Sequence, residues 1–223
     1  MDKGDTSLEM DLEDFAACIP FHLDYILFDA CLMGCVEVAY ELRNVTDLVG
    51  FSQTEVLANG FDYYTLSDHL LSRTPDPIAV CEDYFDFYDQ QTGSNRSATI
   101  SVVDTRELEP LADLCSQLFE KYREILQTLP GSRVQGYFRY ERHFFYDMKD
   151  ILVQAGITPE EEALLQSALD KCILYKANTP SFLSIKINRY SGMSMYLPSM
   201  GTKYLNNYYR EHLAWNRATQ LVK

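Results

Sequence analysis

The stretch that most constrains the fold is the segment from residue 23 to residue 42, LDYILFDACLMGCVEVAYEL. It begins with an apolar run that ends at Asp29, and Cys31 follows two residues later. The run is apolar on both faces, which is typical of a strand in the interior of a parallel sheet. From residue 32 to residue 42 the spacing of apolar residues favours a helix. The segment therefore predicts a strand that delivers an acid and a thiol to the start of a helix.

Residues 47–53, DLVGFSQ, form the next apolar segment and predict a second strand. A strand, a helix and a strand within this length form a βαβ unit, which is right-handed by default. In an open parallel sheet, ligands collect beyond the carboxyl ends of the strands, which is where we expect Cys31. Residues 98–104 alternate and are β-branched, so they predict a third strand. Further helices are expected at residues 10–19, 64–72, 77–91, 107–129 and 148–154.

The C-terminal part of the chain has a different pattern. Residues 159–177 predict a helix that Thr158 caps. Residues 181–188 and 192–197 predict a pair of strands, and a closing helix is expected at residues 205–222. Because we find no internal repeat or linker, we expect a single α/β domain over residues 1–223. Within it, a helical and β-hairpin elaboration is expected from about residue 131 to residue 223.

Charge and composition argue against several functions. The formal net charge of −14 argues against nucleic-acid binding, which depends on basic groups that neutralise phosphate. No run of about 18 apolar residues is present, so we expect no membrane span. The six cysteines are scattered and show neither CxxC nor zinc spacing, so we expect most to be buried and predict no metal site.

Cys31 is the strongest candidate for chemistry. A helix start favours a thiolate, and the backbone N–H groups of Cys31 and Leu32 could stabilise the oxyanion that forms when a carbonyl is attacked. The alternative is that Cys31 is a small buried residue that closes a β–α turn.

The residues around Cys31 closely resemble a known family. Residues 25–34, YILFDACLMG, and 36–42, VEVAYEL, are similar to the nucleophile segment of the clostripain family of cysteine peptidases, caspase-like enzymes that cleave after arginine or lysine. The resemblance continues at residues 51–55 and 60–63, and it returns at residues 192–198 and 208–215. It covers most of the chain in order, and it implies a caspase-like αβα sandwich with a mostly parallel sheet.

By this resemblance, Cys31 is the nucleophile and Asp29 selects a basic side chain before the cut. A carboxylate at the end of a strand pairs well with guanidinium or ammonium groups. The alternative for Asp29 is a cap on a loop amide. Residues expected in the same pocket are Ser52, Gln53 and Thr54 at the end of the neighbouring strand, with Asp62 as a candidate second negative charge.

The chain lacks an evident general base. A peptidase cysteine needs a histidine, which the family places in a His-Gly motif upstream of the nucleophile strand. Only His22 lies upstream, and it starts the strand that ends near Cys31, so it should be ~20 Å or more from the thiol. His69, His143 and His212 lie off the family pattern, so we expect surface or helix histidines.

The resemblance implies an explanation, because family members cut themselves between the His and Cys segments. This chain would be the larger C-terminal chain, and an N-terminal light chain would supply the histidine. The substrates would be proteins or peptides with Arg or Lys before the cut. A secreted or cell-envelope (periplasmic) location in a bacterium is implied, with the signal peptide outside this chain. Some members depend on calcium, but no EF-hand spacing allows an ion to be placed.

Two other functions remain open from the sequence. The chain could be an inactive clostripain-like binding module that lacks the histidine. It could also be an acidic adaptor with a tyrosine-rich face formed by Tyr137, Tyr140 and Tyr146.

Overall fold

A computed structural model describes residues 10–140 and 143–223 of the protein. In chain order, its strands are β1 (Leu23–Leu27), β2 (Thr46–Phe51), β3 (Thr99–Asp104), β4 (Phe145–Asp147), β5 (Ile173–Asn178), β6 (Ser181–Phe182), β7 (Ile185–Lys186) and β8 (Ser194–Tyr196). The central sheet has four of these strands, in the order β1-β2-β3-β5. The others form two small antiparallel pairs, β4 with β8 and β6 with β7.

The helices follow the apolar periodicity of the sequence. In chain order they are α1 (Leu12–Ala17), α2 (Val36–Leu42), α3 (Tyr63–Leu70), α4 (Pro77–Asp89), α5 (Leu108–Lys121), α6 (Arg123–Leu126), α7 (Met148–Ala155), α8 (Pro159–Cys172), α9 (Lys203–His212) and α10 (Ala214–Thr219). The helix expected over residues 107–129 is divided at Tyr122 into α5 and α6, because the backbone there leaves helical geometry (φ −105°, ψ 15°). Thr158 caps α8 as predicted, and it forms a full capping box with Glu161.

The pairing of the central sheet is mixed. β1 and β2 are parallel, with Ile26 opposite Val49, and α2 connects them, so the predicted βαβ unit is confirmed. β3 runs antiparallel to β2, with Val103 opposite Val49, and β5 runs antiparallel to β3. Of the three pairings, only β1–β2 has the parallel arrangement expected for most of the sheet.

Helices cover both faces of this sheet, which gives three layers. Val49 and Val103 face a large apolar core that includes residues of α2, α5, α8 and α10. Ile100 and Val102 face the other way, into a smaller core against Val80 on α4. This alternation along β3 is what a strand buried on both faces requires.

The predicted C-terminal strand pair is wrong. Residues 181–188 form only the two-residue strands β6 and β7, which pair with each other. Residues 194–196 pair with β4 instead, which lies about fifty positions earlier in the chain. β5 was expected to be the end of a helix, but Ile173 has an extended backbone (φ −98°, ψ 99°) and the chain enters the sheet directly from α8.

The proposed tyrosine-rich face does not form. Tyr137 and Tyr146 are buried, and only Tyr140 is largely exposed. The Tyr137 hydroxyl donates to the buried Asp147 carboxylate at 2.7 Å. Tyr137 and Tyr146 therefore belong to the interior of the C-terminal part. The exposed tyrosine-rich face that the adaptor hypothesis requires is not formed by these three residues. Within the described ranges, no helix is both long enough and apolar enough to cross a bilayer.

Candidate active site

The residues that follow Cys31 form a turn and then a non-helical stretch, so the expected helix start at residue 32 is wrong. α2 begins at Val36, after an N-cap at Cys35. The Gly34 N–H donates to Ser52 O at 2.7 Å, and the Gly34 carbonyl accepts from Ser194 N at 2.9 Å. Because neighbours bind this backbone on both sides, it cannot also make the hydrogen bonds of a first helical turn.

Gly34 is needed for this close approach. A Cβ at this position would lie 2.6 Å from the backbone nitrogen of Gln53 and 2.7 Å from the carbonyl carbon of Ser52. A side chain would therefore push the segment away from β2. Cys31 consequently lies in a turn beyond the end of β1, five positions before α2 begins, so the predicted placement of the thiol at a helix start is wrong.

Leu32 adopts an unusual backbone conformation beside the thiol. Its φ is +62°, in the left-handed region that leucine rarely adopts. Its N–H donates to the Thr54 carbonyl at 2.9 Å. The predicted use of this N–H as an oxyanion donor is therefore not supported, because the β2 end already occupies it. The Cys31 N–H has no acceptor within the described part of the chain, so its predicted oxyanion role stays a prediction.

The Cys31 thiol is exposed and is held by the loop that follows β2. The backbone N–H of Val56 donates to Cys31 Sγ at 3.3 Å, and Sγ lies 3.8 Å from the Val56 carbonyl oxygen. Because the thiol is exposed, the alternative that Cys31 is a small buried residue is wrong.

The other cysteines are poor candidates for chemistry. Cys35, Cys81, Cys115 and Cys172 are buried, whereas Cys18 is exposed like Cys31. Burial raises the pKa of the Cys81 thiol to about 12 and that of the Cys172 thiol also to about 12. Such thiols remain protonated at neutral pH and are inert. Cys18 precedes β1 and is far from its carboxyl end in sequence, so it provides a useful reference thiol.

Asp29 lies two residues before Cys31 with an exposed carboxylate. The Tyr63 hydroxyl donates to Asp29 Oδ2 at 2.8 Å, and the Phe61 N–H donates to the same oxygen at 3.4 Å. This hydrogen bond to Asp29 raises the pKa of the Tyr63 phenol, so the phenol remains a donor at neutral pH. The alternative role of Asp29 was to accept from a loop amide, and the long contact from the Phe61 N–H is of this kind. The other carboxylate oxygen, Oδ1, has no donor within residues 10–140 and 143–223.

The loop opposite Asp29 is shaped by Gly60. Gly60 has a φ of +60°, and a Cβ there would lie 2.5 Å from Asp29 Oδ2 and 2.8 Å from Oδ1. Only glycine allows both this conformation and this approach. The turn predicted at Asn59-Gly60 is present, with Gly60 N donating to Leu57 O at 2.8 Å. Tyr88 supports the loop from below, because its hydroxyl donates to the Gly60 carbonyl at 3.1 Å.

Asp62 has a structural role next to this loop. It is the N-cap of α3, and its Oδ1 accepts from the Tyr64 N–H at 3.0 Å. Its side chain is exposed. A contribution of Asp62 to the charge of a basic-residue pocket stays a prediction.

Ser52, Gln53 and Thr54 are buried, and their polar groups are engaged with neighbours. Ser52 Oγ and Thr54 Oγ1 both meet the Thr99 hydroxyl, at 2.9 and 3.0 Å. Gln53 Nε2 donates to Ser101 Oγ and to the Gly192 carbonyl, each at 2.7 Å. These residues form the floor that holds Leu32 and Gly34 in place, and a direct substrate contact for them stays a prediction.

An apolar pocket of about 210 Å³ adjoins Leu32. Its lining includes Leu32, Gln53, Phe138, Phe144, Phe145 and Ser194. Gln53 thus reaches a cavity, but neither Cys31 nor Asp29 lines it.

None of the four histidines bonds to the Cys31 thiol in the part of the chain that the structure describes. His22 pairs with Asp47 at 2.8 Å, at the opposite end of β1, and this hydrogen bond raises the pKa of His22. His69 contacts Asp83, and His212 contacts Glu13. His143 stacks on Tyr146 with 4.5 Å between ring centroids. No hydrogen bond between a histidine and the Cys31 thiol is therefore present among the described residues, and the upstream histidine that the resemblance implies stays a prediction. The described residues also contain no group of three or more His, Cys, Asp or Glu side chains that could hold a metal ion.

Three contributors to the site were missed by sequence reasoning. They are the hydroxyl of Tyr63, the backbone of Val56 and the missing Cβ of Gly60. Tyr63 and Gly60 both belong to the motif Gly-Phe-Asp-Tyr. The sequence does not show, however, that the residues on either side of Asp62 approach the Asp29 carboxylate. Backbone contacts such as that of Val56 leave no signal in residue type.

The chain is similar to a known family model and to several solved structures. The family model of the clostripain family matches residues 5–220. No curated protein sequence matches the chain at a significant level. Among solved structures, an inactive zymogen protease from Parabacteroides distasonis is 32% identical, with a TM-score of 0.84. The alignment covers 94% of this chain and 62% of the zymogen chain, so the chain spans less than two thirds of that relative.

Two further structures are similar along almost their whole chains. A clostripain from Bacteroides thetaiotaomicron, in complex with the peptide inhibitor BTN-VLTK-AOMK, is 28% identical with a TM-score of 0.83, and 96% of each chain is covered. A cysteine protease from B. fragilis is 26% identical with a TM-score of 0.87, and 98% of each chain is covered. The α/β, caspase-like fold class expected from the sequence is confirmed by these similarities. The match over residues 5–220 and the shared fold show that the chain belongs to the clostripain family of cysteine peptidases.

Proposed function

We propose that this chain supplies the nucleophile and the specificity pocket of a cysteine endopeptidase that cleaves after arginine or lysine. Cys31 would attack the scissile carbonyl, and Asp29 would bind the basic side chain that precedes it. The observation that supports this assignment best is the pairing of an exposed thiol with an exposed carboxylate two residues away, both beyond the carboxyl end of β1.

The charge of Asp29 suits a cationic side chain. Its Oδ1 has no donor within the described ranges, and charge-assisted hydrogen bonds to such an oxygen contribute about 1.5–3 kcal/mol. The peptide of the inhibitor bound to the B. thetaiotaomicron relative, VLTK, ends in lysine, which agrees with this assignment. The chain's own net charge of −14 would also attract basic substrates.

The chemistry follows from the thiol. The Cys31 thiolate attacks the carbonyl carbon, and the resulting oxyanion is stabilised by backbone donors, of which the Cys31 N–H is the candidate on this chain. A histidine takes the thiol proton and returns it to the leaving amine. Water then hydrolyses the thioester and releases the new carboxylate.

We propose that an N-terminal segment of the precursor carries that histidine and is separated from this chain by self-cleavage. Three observations support this. The four histidines of the chain are bonded or stacked elsewhere, and β1 lies at an edge of the described sheet with only β2 beside it. The chain also spans 62% of the zymogen from P. distasonis but 96% of the inhibited clostripain chain. A light chain beside β1 would cover an apolar strand edge.

A secreted, bacterial location is part of the same proposal. A relative from B. thetaiotaomicron is a secreted cysteine protease, 28% identical with a TM-score of 0.81. Calcium dependence remains an implication of the family only.

The alternative is an inactive relative that acts as a binding module. The specific observation in its favour is that no histidine bonds to the Cys31 thiol within residues 10–140 and 143–223. It predicts slow, ordinary alkylation of Cys31 and no hydrolysis in any assembly.

The test is hydrolysis of a peptide amide reporter that ends in Arg or Lys, by the whole peptidase with its N-terminal segment. Cys31→Ala should reduce the rate to background, whereas Cys18→Ala, at the other exposed thiol, should leave it unchanged. Asp29→Ala should lower kcat/KM by about 10- to 150-fold, the equivalent of one charge-assisted hydrogen bond. The matched control is Asp24→Ala, an exposed aspartate on the same strand, which should have no such effect.

Two results would contradict the proposal. Hydrolysis that persists in Cys31→Ala would remove Cys31 as the nucleophile. Equal losses in Asp29→Ala and Asp24→Ala would remove Asp29 from the pocket.

A further inference from the structure

Tyr63 already occupies part of the carboxylate that is expected to bind substrate. Asp29 Oδ2 accepts two hydrogen bonds, from the Tyr63 hydroxyl at 2.8 Å and from the Phe61 N–H at 3.4 Å. A carboxylate oxygen has two lone-pair sites, so these donors use both on Oδ2. Oδ1 is the oxygen that stays open within the described part of the chain.

The position of the Tyr63 ring is fixed by its backbone rather than by packing. Tyr63 is the first residue of α3, directly after the Asp62 cap, and its carbonyl accepts from Ser67 Oγ at 2.6 Å. Its side chain is 62% exposed. The start of α3 therefore places the phenol oxygen next to Asp29. Because the side chain is largely exposed, it contributes little to the packing of the fold.

Arginine and lysine differ in what they require from a carboxylate. A guanidinium group binds best as a planar fork, with two parallel hydrogen bonds to the two oxygens. An ammonium group is a compact charge that needs only one oxygen and keeps its other protons for water or neighbouring carbonyls. A carboxylate with one occupied oxygen therefore suits lysine better than it suits an arginine fork.

We propose that Tyr63 is a positioning residue that biases the Asp29 pocket toward lysine over arginine. The inference deepens the proposed function and rests on it. With the phenol on Oδ2, a lysine ammonium binds at Oδ1 without displacing anything. An arginine fork must displace the phenol or accept a single hydrogen bond.

The test compares Tyr63→Phe with the wild-type peptidase, complete with its N-terminal segment. Two peptide amide reporters that differ only in Lys or Arg before the cut give kcat/KM for each. Tyr63→Phe removes one oxygen and keeps the ring, and because the side chain is exposed the fold should not change. Tyr64→Phe is the matched control, since its neighbouring ring is 79% exposed.

The ratio of kcat/KM for lysine to that for arginine should fall about tenfold in Tyr63→Phe, because arginine gains its second hydrogen bond and lysine gains little. The change should lie mainly in KM for the arginine reporter, since the pocket binds the side chain in the ground state as well. Tyr64→Phe should leave the ratio within about twofold of the wild type.

The inference is overturned if Tyr63→Phe leaves the ratio unchanged, or if it lowers both reporters equally, as loss of a structural contact would. Failure of the proposed function looks different, because then the wild type shows no requirement for Asp29 and Asp29→Ala cleaves basic reporters as well as the wild type does.

Discussion

The variant Gly60→Ala tests whether the close approach of Gly60 to Asp29 matters for activity, beyond the stability cost of backbone strain. Gly60 has a φ of +60°, and a Cβ there would lie 2.5 Å from Asp29 Oδ2 and 2.8 Å from Oδ1. Gly93 provides a matched control, because its φ is +59° and a Cβ there would meet nothing within 4 Å. Both alanine variants incur the same backbone cost of ~1–2 kcal/mol, whereas only Gly60→Ala also displaces the carboxylate.

The magnitudes follow from these contacts. A loss of ~1–2 kcal/mol should lower the melting temperature of either variant by about 2–8 °C for a chain of this size. Displacement of Asp29 adds the loss of about one charge-assisted hydrogen bond to the substrate, or about 1.5–3 kcal/mol. We therefore expect kcat/KM on a basic reporter to fall about 10- to 150-fold in Gly60→Ala.

The assay measures thermal unfolding and reporter hydrolysis for both variants of the whole peptidase. Gly93→Ala should lower the melting temperature by the backbone cost alone and retain the wild-type kcat/KM, whereas Gly60→Ala should lower the melting temperature at least as much. The reasoning is refuted if the two variants lose activity equally, because the contact between Gly60 and Asp29 would then have no functional weight.

Two stability predictions concern other parts of the fold. Burial raises the pKa of Glu37, whose Oε1 accepts from Tyr196 N and the Tyr209 hydroxyl while the buried Oε2 has no partner in the described residues. A raised folded-state pKa means that the contribution of Glu37 is fully present below its ordinary value and is lost as pH rises through the folded value. The free energy of unfolding of Glu37→Gln relative to wild type, measured in urea titrations, should therefore increase as the pH rises above the ordinary pKa of a glutamate, and a difference that is independent of pH would contradict this. Thr158→Ala removes the capping box at the start of α8 and should cost about 1 kcal/mol, whereas Thr158→Ser should retain most of the stability; equal losses would show that the hydroxyl is not the stabilising group.

The sequence predicted the elements that local signals determine. The apolar run before Asp29 gave β1, and Thr158 with Pro159 gave the start of α8, because propensity and capping act within a few residues. The position of Cys31 beyond the end of β1 followed from the same logic and is confirmed. The Asn59-Gly60 turn was also predictable, since glycine favours a positive φ.

Long-range contacts explain what the sequence did not predict. Residues 32–35 have a helical pattern, yet Gly34 is bound by Ser52 on one side and by Ser194 on the other. Ser194 is 160 positions away in the chain, and nothing near residue 34 signals it. β5 follows α8 with no turn residue between them. The helical spacing of apolar residues continues beyond the end of α8, so the predicted helix extended into β5. The contact of Tyr63 with Asp29 likewise depends on how α3 is placed against β1, which no local pattern shows.

The most direct test of the central claim is the rate at which a peptide electrophile modifies each thiol. The whole peptidase would be treated with a reagent whose peptide ends in lysine and, in parallel, with one whose peptide ends in alanine, and the modified residues would be mapped by mass spectrometry. We predict rapid modification of Cys31 by the lysine reagent only, with a rate that falls about tenfold or more in Asp29→Ala, while exposed Cys18 reacts slowly and equally with both reagents. Equal rates at Cys31 and Cys18, or no difference between the two reagents at Cys31, would contradict the assignment of Cys31 and Asp29 as nucleophile and specificity residue.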